Sequence, residues 1–153
     1  MPASKLLPAT DTASRLRVAV ARIDRLLGRE VLRSDLTRTQ FSVLATLARE
    51  GELRLSALGE REGLNPTMLS RVVAALERAG WVERAPDPDD GRAALVSATA
   101  AGRALHARLR RERSALVEEW LTGLDPDDAG RVAAAVRLLE GLADHLVQRV
   151  GAR

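Results

Sequence analysis

Residues 53–81 decide the fold, and their sequence is "LRLSALGEREGLNPTMLSRVVAALERAGW". The stretch predicts a short strand, then a helix capped by Ser56, then a tight turn at Gly63 and Leu64. A second helix follows, with Asn65 as its cap and Pro66 in its first position. Two short helices joined by a glycine-containing turn form a helix-turn-helix candidate, a pattern that is weakly specific by itself.

The second of these helices has two chemically different faces. At about 100° per residue, one side collects the apolar residues Leu69, Val72, Val73 and Leu76, and the other collects Thr67, Ser70, Arg71, Ala74 and Arg78. Small side chains let a helix approach the major groove of DNA, hydroxyl groups can bond bases or phosphates, and Arg can bind guanine through O6 and N7. An ordinary solvated helix face explains the same residues equally well at this point.

A predicted hairpin follows the helix-turn-helix. Residues 81–84 and 93–98 have strand-like patterning and flank the turn-forming stretch "APDPDDG", so the acidic stretch forms a hairpin tip. Such a hairpin makes a winged helix, in which Arg92 near the tip is positioned to enter the minor groove. Asp90, two residues earlier, points the same way and is expected to orient the Arg92 guanidinium. The remaining acids are expected to stay outside the contact, because phosphate repels them.

Long helical patterns flank this central part. Leu16, Val20, Ile23, Leu27 and Val31 form an apolar stripe within residues 11–34. Thr37 and Gln40 have the spacing of a capping box for a helix that runs to about Arg49 and stops at Gly51. Two more helices cover residues 99–121 and the segment after Asp125 and Pro126. The predicted fold is therefore mainly α with a small β-hairpin wing, a winged helix-turn-helix with long terminal helices.

Composition bounds the classes of function. The 153 residues suit one compact domain with helical extensions, and 24 basic against 21 acidic residues leave a net charge of only +3, which is weak evidence for nucleic acid. The absence of cysteine excludes disulfides, thiolate metal sites and thiol redox switches. No stretch resembles a secretory signal or a membrane span, so a cytoplasmic location without membrane association is expected.

Catalysis has little support in the sequence. His106 and His145 fall in separate predicted helices, without a nucleophile or an acidic partner at motif spacing. The sequence also lacks a phosphate-binding glycine loop and the spacings of a metal site. We therefore expect no enzyme activity, no catalytic residue, no metal and no cofactor.

The sequence resembles the MarR family of bacterial transcriptional regulators. The resemblance rests on "LTRTQFSVLATL" at residues 36–47 and on "LSALGEREGLNPTMLSRVVAALERAGWVERAPDPDDGRAALVSATAAG" at residues 55–102. The more specific features are the Ser70-Arg71 pair, the exit Gly80-Trp81-Val82, and the wing Asp90-Gly91-Arg92-Ala93. The sequence departs from the family at Gly59, where Ala is usual, at Gly91, where many members have Arg, and at Ala98, where Leu is usual.

The resemblance implies a homodimer that binds double-stranded DNA at a roughly palindromic operator, most simply as a repressor released by a small aromatic or phenolic effector. The implied divisions are a dimerisation helix at 1–35, a DNA-binding domain at 36–98, and dimerisation helices at 99–153. The DNA-binding residues expected from the faces and the resemblance are Pro66, Thr67, Ser70, Arg71, Arg78, Asp90 and Arg92. The effector site is expected where the second and fifth helices meet, with Phe41, His106 and Trp120 as candidates that are equally well core or surface residues.

Two other functions remain compatible with the same sequence. A winged helix can serve as a protein-interaction module whose basic face is merely solvated. It can also be a nonspecific architectural DNA-binding protein without any effector. Because all three share one fold, only binding measurements separate them.

Overall fold

Helices dominate the described residues, 9–32, 36–91 and 93–151, of the computed structural model. In chain order the elements are α1 (Ala9–Leu32), α2 (Arg38–Glu50), β1 (Leu53–Arg54), α3 (Leu55–Glu62), α4 (Pro66–Arg78), β2 (Val82–Pro86), β3 (Ala94–Ala98), α5 (Ala100–Thr122) and α6 (Pro126–Gly151). The predicted fold class, mainly helical with a small β-hairpin wing, is confirmed. None of the described helices is both long enough and apolar enough to cross a membrane.

Two compact units divide the chain within α5, between Arg113 and Ser114. The first unit contains α1, α2, the helix-turn-helix, the sheet and α5 as far as Arg113. The second contains the end of α5 and all of α6, which begins at Pro126 after the cap Asp125. The Asp125 carboxylate accepts a hydrogen bond from the Asp128 N–H at 2.9 Å, as expected of a helix cap.

The capping box predicted for α2 is present. The Thr37 hydroxyl accepts a hydrogen bond from the Gln40 N–H at 3.2 Å, and the Gln40 side chain accepts one from the Thr37 N–H at 2.8 Å. These two bonds satisfy backbone donors that have no partner within the helix. The helix ends before Gly51, as the sequence predicts.

The helix-turn-helix consists of α3 and α4. Gly63 has φ +62°, a left-handed conformation that glycine adopts without steric cost, and it turns the chain between the two helices. Asn65 caps α4 by accepting a hydrogen bond from the Met68 N–H at 2.9 Å, and Pro66 occupies the first helical position. The apolar side of α4 is buried as predicted, at Leu69, Val72, Val73 and Leu76.

The prediction that Ser56 caps α3 is wrong. The helix begins one residue earlier, at Leu55, and its cap residue Arg54 makes no side-chain capping bond. The cause is the pairing of β1 with β3, which holds the backbone in the sheet as far as Arg54. The helix must therefore start directly after the strand, and Ser56 falls inside its first turn.

The sheet has three antiparallel strands with β3 in the middle, in the order β1-β3-β2. The β2 and β3 pairing runs from Val82 opposite Ala98 to Pro86 opposite Ala94, which confirms the predicted hairpin. The pairing of β1 with β3 adds a third strand at the other edge. Val96 and Ala98 of the central strand are buried, so one face of the sheet joins the core.

The hydrophobic core lies in the first unit. Its buried members are Leu36, Val43, Leu44, Leu47, Leu58, Leu69, Val72, Val73, Leu76, Val82, Val96, Ala98, Leu105 and Leu109. Gly59 of α3 is also buried, and a Cβ there would lie 3.2 Å from the Leu69 side chain and 3.3 Å from the Leu64 carbonyl oxygen. Glycine at this position costs about 1 kcal/mol in helix propensity relative to alanine. In return, the missing side chain lets α3 lie close to α4.

Candidate nucleic-acid interface

The face of α4 opposite the core is open to solvent, because the apolar residues on the other face are the ones that pack into the core. Thr67, Ser70, Arg71 and Arg78 are exposed, as is Pro66, while Ala74 is half-buried. In the part of the chain that the structure describes, Arg71 has no ion-pair partner. The first two turns of α4 thus present small side chains, hydroxyl groups and an accessible guanidinium.

Arg78 is oriented along its own helix. Its Nε donates a hydrogen bond to the Ala74 carbonyl oxygen at 3.3 Å, one turn earlier. The bond keeps the guanidinium near the last turn of α4, away from the amino-terminal turns. Its position suits a phosphate contact better than base recognition, since base edges are contacted mainly by the amino-terminal residues of such helices.

Arg84 links the wing to α4, which the sequence analysis did not predict. Its guanidinium donates to the Ser70 carbonyl oxygen at 3.4 Å and lies 3.4 Å from the Glu77 carboxylate. Arg84 is on β2, so these contacts join the first wing strand to the middle and end of α4. The only signal in the sequence is an outward-facing charge on a strand directly after the helix.

The wing tip is held by Asp87, whose carboxylate is buried. One of its oxygens accepts a hydrogen bond from Arg54 Nε at 2.6 Å, and the other accepts one from the Asp89 N–H at 2.9 Å. The hydrogen bond from Asp89, together with the bond and charge of Arg54, holds the pKa of the Asp87 carboxyl below its ordinary value of 3.8. The ion pair therefore connects β1 to the tip of the wing.

The sequence pattern places the acidic stretch at a hairpin tip and does not predict that Asp87 is buried. Asp87 points inward because its carboxylate closes a turn onto a backbone N–H two residues later, the usual geometry of an aspartate turn. The turn was predictable from the sequence, but the Arg54 partner is 33 positions away. Asp89 and Asp90 are exposed, and the expectation that the acids other than Asp90 stay outside the DNA contact stays a prediction.

Arg92 lies outside the described residues, so its predicted minor-groove contact stays a prediction. The backbone on either side of it is ordered by hydrogen bonds within the turn. The Asp87 N–H donates to the Ala93 carbonyl oxygen at 3.1 Å, and the Ala93 N–H donates to the Asp90 carbonyl oxygen at 2.8 Å. The predicted pairing of the Asp90 and Arg92 side chains also stays a prediction.

Two of the three predicted effector residues lie together. The rings of Phe41 and His106 have centroids 5.8 Å apart, and the Arg113 guanidinium lies 5.3 Å from the Phe41 ring centre. Phe41 and Arg113 also line a cleft of about 470 Å³ with residues of α1, α2 and α3. Trp120 belongs to the second unit, where it is exposed.

His106 sits in a basic, partly buried environment. Burial lowers the pKa of its imidazole below the ordinary 6.5, and the positive charges of Arg110 and Arg49 lower it further. The neutral imidazole is therefore the favoured form at neutral pH. No group of three or more His, Asp or Glu side chains that could hold a metal ion occurs among the described residues.

Comparison with known proteins gives consistent results. The sequence model of the MarR family matches residues 36–94. An uncharacterized HTH-type transcriptional regulator from Mycobacterium bovis is 38% identical over 132 residues, which cover 86% of this chain and 92% of that protein. The match to this relative extends well beyond the helix-turn-helix and the wing.

Solved structures agree with the fold. The crystal structure of a MarR mutant from Escherichia coli has a TM-score of 0.74 and 26% identity, covering 92% of this chain and 99% of that one. A MepR mutant from Staphylococcus aureus, bound to an oligodeoxyribonucleotide, has a TM-score of 0.68 and 16% identity, covering 86% and 97%. At that identity the second comparison supports the fold alone.

Proposed function

The chain belongs to the MarR family of winged-helix transcriptional regulators, and from this premise we propose that it is a homodimeric, sequence-specific repressor released from DNA by a small molecule. In this proposal it acts in the cytoplasm on a roughly palindromic operator. The coarser statement, a DNA-binding transcriptional regulator rather than an enzyme, follows from family membership.

The exposed face of α4 is the observation that supports sequence-specific binding. Thr67 and Ser70 offer hydroxyl groups and Arg71 offers a guanidinium that no described carboxylate holds. In the major groove, such a guanidinium can bind the O6 and N7 of guanine. We assign Arg92 to the adjacent minor groove from its position in the sequence alone.

Exposed apolar side chains on α1 and α6 support a homodimer. Those on α1 are Val18, Val20, Ile23 and Leu26, and those on α6 are Val136, Leu138, Leu139, Leu142, Leu146 and Val147. Large apolar surface left open on one copy favours association with another. A dimer would place two α4 helices about one turn of DNA apart, roughly 34 Å, which is the geometry that a palindromic operator needs.

The cleft beside Phe41 supports the proposed effector site. An aromatic or phenolic acid would stack on the Phe41 ring and place its negative group near Arg113, because Arg38, the other arginine of the cleft, is paired with Asp24 at 3.1 Å. His106 contacts the same ring from α5. A ligand there would contact α1, α2 and α3 together, and thus act on the first helix of the helix-turn-helix.

Fluorescence anisotropy on duplex DNA from the chain's own promoter tests the function, with random-sequence DNA measured at the same salt concentration. We expect the Arg71→Ala variant to lose about 1–3 kcal/mol of binding to the operator, with a much smaller loss on random DNA. Arg137→Ala on α6 is the matched control, because it removes the same charge from an exposed helix position.

The other outcomes identify the competing functions. Equal affinity for operator and random DNA would identify a nonspecific architectural protein. No salt-dependent affinity for either duplex would identify a protein-interaction module. If Arg71→Ala and Arg137→Ala behaved alike on the operator, the assignment of Arg71 to a base would be wrong.

Thermal-shift screening of small aromatic acids tests the effector proposal, because a ligand that binds only the folded state raises the Tm. A true effector should also release the operator in the anisotropy assay. The Phe41→Ala variant should lose both responses. A ligand that raises the Tm of this variant as much as that of the wild type would bind elsewhere.

A further inference from the structure

Met68 is an exposed apolar residue in a region where apolar residues are otherwise covered. Within residues 36–91 and 93–113, it is the one large apolar side chain that is exposed, at 48% of its surface. The core beneath α4 is complete without it, since Leu69, Val72, Val73 and Leu76 fill that side. Its exposure is therefore not explained by the packing of the winged helix.

Its position explains the exposure better. Met68 lies in the first turn of α4, where its N–H donates to the Asn65 cap, and helical side chains of this length lean towards the amino terminus. It shares one shallow concavity of the surface with Asn65, Pro66, Thr67 and Arg71. Arg71, three residues later, is its neighbour on the helix surface.

We propose that Met68 is a specificity-determining residue that contacts the 5-methyl group of a thymine in the operator, beside the base bound by Arg71. The inference rests on the proposed function of α4 as the helix that enters the major groove. Thymine is distinguished there by its methyl group, which apolar side chains contact. The flexible, polarisable thioether adapts its shape to such a contact.

The test uses the full chain and an operator obtained by selection from random duplexes. Each thymine of one half-site is replaced in turn by deoxyuridine, which removes the methyl group and keeps every hydrogen-bonding group. For the wild type we expect one position at which the replacement weakens binding about three- to five-fold, the factor that corresponds to one buried methyl group. The Met68→Ala variant should bind the operator with thymine and the operator with deoxyuridine at that position equally well.

Two variants separate Met68 from its surroundings. Met68→Leu keeps an apolar side chain of similar volume and should retain the sensitivity to deoxyuridine. Thr67→Ser removes the other methyl group in the first turn of α4 and should also retain it. If Thr67→Ser abolished the sensitivity while Met68→Ala kept it, thymine would be contacted by Thr67 and the proposal would be wrong.

Failure of the proposal differs from failure of the proposed function. If the wild type selects no sequence over random DNA, both the proposed function and the role of Met68 are wrong. A wild type that selects an operator, but shows no sensitive thymine in it, would remove only the role of Met68. A change in sedimentation of Met68→Ala, without any change in sensitivity to deoxyuridine, would show instead that Met68 contacts a second copy of the chain.

Discussion

At the scale of single residues, Gly102 determines how closely α5 approaches the end of the helix-turn-helix. A Cβ at this position would lie 2.0 Å from the Trp81 carbonyl oxygen. The same carbonyl accepts a hydrogen bond from the Thr99 N–H at 3.0 Å, and the Thr99 hydroxyl donates to the Gly80 carbonyl oxygen at 2.7 Å. These contacts join the exit of α4 to the first turn of α5, and they leave no room for a side chain.

We therefore predict that Gly102→Ala destabilises the protein, although alanine is the better helix former. The gain in helix propensity is about 1 kcal/mol, whereas a clash with backbone atoms that cannot rotate away belongs at the upper end of the usual overpacking cost of about 1–3 kcal/mol. Gly141→Ala on α6 is the matched control, because nothing lies within 4 Å of its added Cβ. Urea unfolding should show a lower midpoint for Gly102→Ala and an unchanged or higher one for Gly141→Ala.

His106 should make stability depend on pH below neutrality. Because burial and two arginines lower the pKa of its imidazole in the folded state, the unfolded chain binds more protons as the pH falls through 6.5. The contribution of the neutral imidazole to the free energy of unfolding is fully present above pH 6.5. It is lost as the pH falls towards and through the pKa of His106 in the folded state. Thermal melts from pH 7.5 to 5.5 should show a shallower decline in Tm for His106→Gln, and an identical decline in both proteins would contradict this assignment.

At the scale of elements, the wing is held at both ends by ion pairs to other elements. Arg84 on β2 connects its base to Ser70 and Glu77 of α4, and Asp87 connects its tip to Arg54 of β1. The central strand β3 adds the backbone ladder between these two points. The position of the wing relative to α4 is therefore set by side chains on three elements, not by the hairpin alone.

Asp87→Asn should loosen the tip, because the amide keeps the shape of the carboxylate but loses the ionic bond to Arg54. We expect a lower Tm and weaker operator binding at pH 7. Asp89→Asn makes the same change of charge at an exposed side chain two residues away, and should leave the Tm unchanged. Equal effects of the two variants on Tm and operator binding would mean that the loss of a negative charge, rather than the loss of the Asp87–Arg54 ion pair, is responsible.

At the scale of the whole molecule, the two units differ in what they bury. The first unit contains the entire buried core, whereas none of the described side chains from Ser114 to Arg149 is buried. The long helix α6 holds its hydrogen bonds within itself but leaves a stripe of leucine and valine uncovered. We propose that a second copy of the chain covers this stripe, so that folding and DNA binding both depend on protein concentration.

Leu146→Glu should therefore dissociate the dimer, since the change places a charge in the proposed apolar interface. We expect the dimer dissociation constant from sedimentation equilibrium to rise at least about tenfold, with a parallel loss of operator affinity. Gln148→Glu adds the same charge at an exposed position of α6, about 160° round the helix axis from Leu146 at 100° per residue, and should keep the dimer. A dimer that persists in Leu146→Glu would place the interface elsewhere.

Much of α2 and of the helix-turn-helix could be predicted because their determinants lie within a few residues of one another. The Thr37 and Gln40 capping box, the Asn65 and Pro66 start of α4, and the turn at Gly63 each act on their own turn of helix. The apolar side of α4 follows from helical period alone, and so does the opposite face with Arg71. Ser56 is the exception, because pairing of β1 with a distant strand overrode the local capping signal.

The sequence by itself thus determined the helices, the hairpin and which side chains of α4 lie on its exposed face. Only the tertiary structure decided that Asp87 turns inward to Arg54, that Arg84 bridges to α4, that Phe41 meets His106, and that Gly102 lies against Trp81. It also singled out Met68, whose exposure depends on which neighbours cover the rest of the core. The physical reason is range: caps and turns are satisfied by nearby backbone groups, whereas these contacts join residues far apart in the chain, and only the packing of the whole unit brings them together.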